Sequence, residues 1–152
     1  MFDAIVWMVS IVAMPILAAQ PAWADSVAVD HPKWKAECGS CHTAYPPQFL
    51  PASGWRRIMS GLDQHFETDA SVDTASAVEI GAFLEQHAGT GKRIRGAQTL
   101  RITESAWFRR KHDDVPAATW TLPAVKTPAN CAACHTTADR GDFRERNLRL
   151  PR

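Results

Sequence analysis

Cys38-Gly39-Ser40-Cys41-His42 and, near the other end of the chain, Cys131-Ala132-Ala133-Cys134-His135 are two copies of one pentapeptide pattern, C-x-x-C-H. Cysteines three apart on a helical turn can both reach one edge of a flat macrocycle and form thioethers to its two vinyl groups. The histidine that follows comes round beneath the ring, where an imidazole nitrogen ligates the iron. This is the attachment signature of covalently bound haem. Six histidines in 152 residues put one at any given position about 4% of the time, so two by accident is roughly a one-in-600 event. The rival readings of C-x-x-C fit poorly. A zinc ribbon spaces its two pairs about 15–20 residues apart, whereas Cys41 and Cys131 are separated by most of the chain. A thioredoxin-like redox pair belongs in a βαβ context, and no alternating strand pattern is present. All four cysteines are used by the two motifs, so no separate disulfide framework is expected.

Working outward, residues 1–24 read as an export leader. Ala4 to Ala19 is apolar except for Ser10 and Pro15, and Ala22-Trp23-Ala24 supplies an A-x-A cleavage pattern before Asp25. The n-region is atypical, with Asp3 and no Lys or Arg. The competing reading is a retained anchor, but about sixteen apolar residues fall short of the roughly 20 that a spanning helix needs. Export suits the motifs, because bacteria attach haem to such chains after translocation. Losing Asp3 with the leader moves the net charge from +1 to +2. That near balance argues against a nucleic-acid protein, and 45% apolar content is that of a globular chain.

Helical periodicity dominates the rest. A short helix is expected from about Pro32 to the first motif. Ser53 is the expected N-cap of a helix reaching about His65, with Trp55, Ile58, Leu62 and His65 on one face. A second helix, Asp73 to Ala88, carries Ile80, Phe83, Leu84 and His87, with Gly89 as its stop. Thr103 is expected to cap a helix through Trp107 and Phe108 to about Lys111, and a final helix is expected from about Pro128 through the second motif. Gly89, Gly91 and Gly96, set among Lys92, Arg93 and Arg95, mark a boundary. It divides the mature chain into residues 25–91 and 92–152, each with one motif.

The opposite face of each iron decides the chemistry. An iron held by two protein ligands exchanges electrons only, whereas one held by His42 or His135 alone would bind oxygen, nitric oxide or peroxide. The remaining histidines are His31, His65, His87 and His112. His65 lies 23 residues after His42 on an apolar face, and His112 lies 23 residues before His135, one turn after Phe108. His87 shares an apolar face with Ile80 and Phe83 and is the main rival at the first iron. His31 reads as an exposed residue near the mature start. Met59, the only methionine outside the leader, limits His/Met ligation to one site at most. Methionine would raise the potential, so histidine on both faces implies lower potentials.

Further elements stand beside the motifs: Tyr45-Pro46-Pro47, Leu50-Pro51, Ser53-Gly54-Trp55, His65-Phe66, Arg101-Ile102-Thr103, Trp107-Phe108 with His112, Asn130 before Cys131, Ala138, and Gly141-Asp142-Phe143. Over residues 34–143 this set resembles the dihaem cytochrome c family of bacterial electron-transfer proteins. The resemblance implies a mostly α fold with a small cytochrome c-like N-terminal haem half and a loop-rich helical C-terminal haem half. It implies two haem c groups on Cys38, Cys41, Cys131 and Cys134, with His42, His65, His112 and His135 as iron ligands. It further implies a periplasmic, low-potential, non-enzymatic carrier, monomeric, passing electrons between a membrane cytochrome b and an oxygen-binding monohaem cytochrome. Glu67-Thr68 departs from the family, where glycine is expected after Phe66. Two alternatives remain: the small dihaem subunit of a periplasmic reductase, and a haem enzyme or gas-binding protein with one five-coordinate iron. Residues 92–111 carry seven basic side chains, including Arg101, Arg109, Arg110 and Lys111, against Glu104 alone. That stretch is either a solvated face or a steering patch for an acidic partner.

Overall fold

A computed structural model describes residues 30–91, 94 and 99–151. The leader at residues 1–24 lies outside the described residues, as do Lys92, Arg93 and Arg95. Four α-helices order the described chain: α1 Pro32–Cys38, α2 Ala52–Met59, α3 Thr74–Gln86 and α4 Ala106–Lys111. Short 3₁₀ turns and loops join them. Among the described residues strand pairing is limited to isolated bridges, His65 with Thr68 and His135 with Leu148.

α1 begins as the sequence suggests. Pro32 sits at its first position and the Trp34 N–H donates to His31 Nδ1 at 3.1 Å. His31 is therefore a helix cap and not an exposed terminal residue. Its ring rests on Phe83 (4.5 Å between centroids), and its Nε2 is 3.3 Å from Glu79. α1 ends at Cys38, and the Gly39 N–H donates to the Lys35 carbonyl at 3.0 Å. A Cβ on Gly39 would lie 2.2 Å from that oxygen, so only glycine allows the turn into the first motif.

α2 departs from expectation at both ends. Pro51 occupies its cap, with its carbonyl accepting from the Gly54 and Trp55 N–H groups, so Ser53 lies within the first turn and caps nothing. Ser60-Gly61, a poor helix-forming pair, closes α2, and a 3₁₀ turn follows over Leu62–Gln64. His65 thus follows the helix instead of riding on it. α3 starts where expected, and Asp73 caps it, with Oδ1 accepting from the Ser76 N–H at 3.0 Å. Gly89 serves a purpose other than a helix stop. It donates to the Leu50 carbonyl at 2.8 Å, and a Cβ there would meet the Gln48 carbonyl oxygen at 2.3 Å and Ile94 Cγ1 at 2.6 Å. Ser105, not Thr103, caps α4 by accepting from the Phe108 N–H at 3.1 Å, because Thr103 lies in a preceding 3₁₀ turn. The helix expected around the second motif is only a 3₁₀ turn, Cys131–Ala133.

Leu50, Ile80 and Leu84 are at most 1% exposed and pack with Trp34, Phe49, Trp55, Phe83 and Ile102. Cys38, Tyr45, Met59, Trp107 and Phe143 border this cluster, so the core draws on both motif-bearing halves. Burying each such large apolar side chain contributes about 1.5–3 kcal/mol. Among the described residues no helix is long and apolar enough to cross a membrane.

Candidate haem centres

The end of α1 delivers Cys38, and the following turn brings Cys41 and His42 forward. The His42 Nδ1 lies 2.7 Å from the Thr43 carbonyl oxygen. A carbonyl only accepts, so Nδ1 carries the proton and Nε2 keeps its lone pair for a metal. The His42 ring faces that of His65 across 6.3 Å between centroids, with planes 20° apart. His65 is positioned by the turn after Leu62–Gln64, where the Thr68 N–H closes onto the His65 carbonyl at 3.0 Å. Both intervening residues, Phe66 (φ 50°) and Glu67 (φ 77°), are left-handed. The glycine missing from the sequence is thus missing where the backbone favours it. The Arg101 guanidinium lies 4.4 Å above the Phe66 ring and braces the same turn.

α4 positions His112, the first member of the second pair. His112 caps the helix C-terminus, with Nδ1 donating to the Phe108 carbonyl at 2.9 Å, again leaving the Nε2 lone pair for a metal. Its ring lies on Phe108 (4.1 Å) and beside Trp120 (5.9 Å). It faces His135 across 6.2 Å, with planes 79° apart. His135 is held by its N–H to the Cys131 carbonyl at 2.8 Å and by Phe143, 5.3 Å away. Its Nδ1 is buried and lacks a hydrogen-bond partner among the described residues. Burial disfavours the charged forms of His65 and His135, and the facing imidazole of His42 or His112 adds to the effect, so both pKa values lie below the usual histidine value. A neutral imidazole is the form that binds metal.

A metal–imidazole bond of about 2 Å on each side, with about 1 Å from each nitrogen to its ring centre, adds up to about 6 Å. Both facing pairs therefore have room for one iron between them. No group of three or more His, Cys, Asp or Glu side chains among the described residues forms a metal cage. Two imidazoles alone do not complete a metal site, and a tetrapyrrole would supply the remaining ligands. The cysteines fit attachment better than redox chemistry. Burial pushes the Cys38 and Cys131 thiols up to about 11, whereas a reactive dithiol needs a stabilised thiolate.

His87 lies at the end of α3 with its ring 5.1 Å from Phe83, so both rival histidines pack on Phe83 outside the facing pairs. Met59 packs against the core. The sequence reading missed the roles of Trp120 and Phe143 as walls around His112 and His135, and the position of Tyr45 against His42, 4.8 Å away. Aromatic composition alone gives no sign of which ring meets which ligand.

A sequence profile described as "Dihaem cytochrome c" matches residues 34–143. Among curated proteins nothing matches the chain. Of solved structures, the dihaem cytochrome c of Shewanella baltica OS155 is 39% identical with a TM-score of 0.70, over 79% of this chain and 92% of that one. A dihaem cytochrome c from Rhodobacter sphaeroides is 41% identical with a TM-score of 0.70, over 78% and 100%. A second structure from Rhodobacter sphaeroides is 42% identical with a TM-score of 0.66, over 77% and 100%.

Proposed function

Since the chain belongs to the dihaem cytochrome c family, it carries two covalently bound haem c groups and transfers electrons, and from that premise we propose a low-potential periplasmic relay with histidine on both faces of each iron. Cys38 and Cys41 would hold the first haem and Cys131 and Cys134 the second. His42 with His65, and His135 with His112, would hold the two irons. When bound, haem supplies one-electron chemistry at its iron.

The chain's own residues confine that chemistry to electron exchange. Two imidazoles per iron would leave no position for oxygen or peroxide. The hydrogen bonds from His42 to Thr43 and from His112 to Phe108 fix which nitrogen is presented. Phe108, Trp120 and Phe143 line the second pair with apolar rings. Imidazole on both faces keeps potentials below those of His/Met sites. The observation that carries this reading is the pair of imidazole facings at 6.3 and 6.2 Å. It favours a carrier over a gas-binding protein or haem enzyme, because His112 stands opposite His135.

Carbon monoxide added to the reduced holoprotein tests the reading. The Soret spectrum is expected to stay unchanged, and a carbonyl-haem band would overturn it. Export through the leader at residues 1–24 would place the protein in the periplasm. There a membrane cytochrome b would donate and an oxygen-binding monohaem cytochrome would accept. Exposed Arg109, Arg110 and Lys111, next to His112, suit an acidic partner surface, so transfer between the two soluble proteins is expected to slow as salt rises.

A further inference from the structure

Tyr45 is the only tyrosine of the chain and belongs to neither haem motif. Its half-buried ring lies 4.8 Å from the His42 ring, with planes 29° apart. Its hydroxyl donates to the Ala129 carbonyl at 2.8 Å, across 84 residues of sequence. That carbonyl also accepts from the Cys131 N–H at 3.0 Å. A continuous sequence of contacts therefore runs from His42 to the Tyr45 ring, through its hydroxyl to the Ala129 carbonyl, and on to Cys131. It joins a ligand of the first iron to an anchor of the second haem by one ring contact and two hydrogen bonds. The aromatic contacts of Phe49 with Trp107 and Phe143 reach His135, but none of them touches His42 or His65.

We propose that Tyr45 couples the two haems, with its ring on His42 and its hydroxyl on the Cys131 segment forming the main route for electron exchange between the irons. The inference rests on the relay reading above. The exchange moves one electron: one iron is oxidised, the other is reduced, and no proton or bond changes place. Tyr45 acts as a positioning and bridging group and is neither oxidised nor deprotonated, since its hydroxyl keeps its proton as the donor to Ala129. Two losses can be separated. Tyr45→Phe keeps the ring on His42 and removes the hydrogen bond, whereas Tyr45→Leu removes the ring contact too.

The experiment is the rate of intramolecular electron exchange in half-reduced holoprotein, read from NMR exchange between haem methyl resonances at several protein dilutions. Potentials and optical spectra of both haems are recorded in parallel. Tyr45→Phe is expected to slow exchange several-fold and Tyr45→Leu by more than an order of magnitude, while both irons stay low-spin with potentials close to wild type. Exchange at the wild-type rate in both variants would overturn the inference and leave the relay standing. Should Tyr45→Leu fail to incorporate haem, Tyr45→Phe decides alone, and a wild-type rate there overturns the proposal. Wild-type protein with no dilution-independent exchange would instead overturn the relay, and the inference with it.

Discussion

His112 and His42 each commit Nδ1 to a nearby backbone carbonyl, at 2.9 and 2.7 Å, which leaves each Nε2 lone pair free for a metal. His65 lacks such a tether among the bonds described and depends on its turn for position. His112→Ala is expected to create one carbon monoxide-binding iron per molecule, read as a carbonyl-haem spectrum at half the haem content. His65→Ala should do the same at the other iron. His31→Ala and His87→Ala, which remove rings packed on Phe83, should bind none. The haem anchors were legible in the sequence because C-x-x-C-H is a local pattern whose chemistry needs only one turn of chain. The facing partners were legible only as candidates, since a 23-residue spacing does not say which way a ring turns. Tyr45 was not legible as a bridge at all, because its hydroxyl partner lies 84 residues away.

At the element scale, local signals governed where helices begin and end, with differing success. α3 starts at the expected place, where Asp73 caps it. The expected helix around the second motif gives way to short turns, with the Cys131 N–H on the Ala129 carbonyl at 3.0 Å and the Ala133 N–H on the Asn130 carbonyl at 3.1 Å. The turn at Phe66-Glu67 holds two left-handed non-glycine residues. Glu67→Gly is therefore expected to stabilise the holoprotein by about 0.5–1 kcal/mol, measured by denaturant unfolding with the Soret band as probe. Further along, Asp142 accepts from Arg144 and from the Asn147 side chain at 3.0 Å, fixing the loop that carries Phe143. The Arg144 guanidinium holds its carboxyl well below the usual carboxylate range. A depressed folded-state pKa means that the stabilisation is complete above the ordinary value of about 4 and fades as pH falls through the lowered one. Asp142→Asn should accordingly be less stable than wild type at neutral pH, with the difference vanishing in strong acid.

On the scale of the whole molecule, the Gly-rich stretch at residues 89–96 suggested two halves, yet Ile102 is part of the same buried cluster as Trp34 and Leu84, and Trp107 and Phe143 pack against it. Hydrophobic pattern alone could not reveal this, because a residue's periodicity shows that it is buried but not against what. The protein core is small, and two covalently held macrocycles would supply much of the apolar surface between the facing histidines. Apoprotein made without haem is therefore expected to be largely unfolded, and native helix content in its circular dichroism would contradict this. The central claim is that both irons are closed on both faces by histidine, and the two pairs differ in a way that can be read directly. The His42 and His65 planes are 20° apart, and those of His112 and His135 are 79° apart. The electron paramagnetic resonance spectrum of the oxidised holoprotein tests the claim most directly. Two low-spin ferric signals of equal weight are expected, one rhombic from the near-parallel pair and one highly anisotropic from the near-perpendicular pair. A high-spin ferric signal from either haem would contradict it.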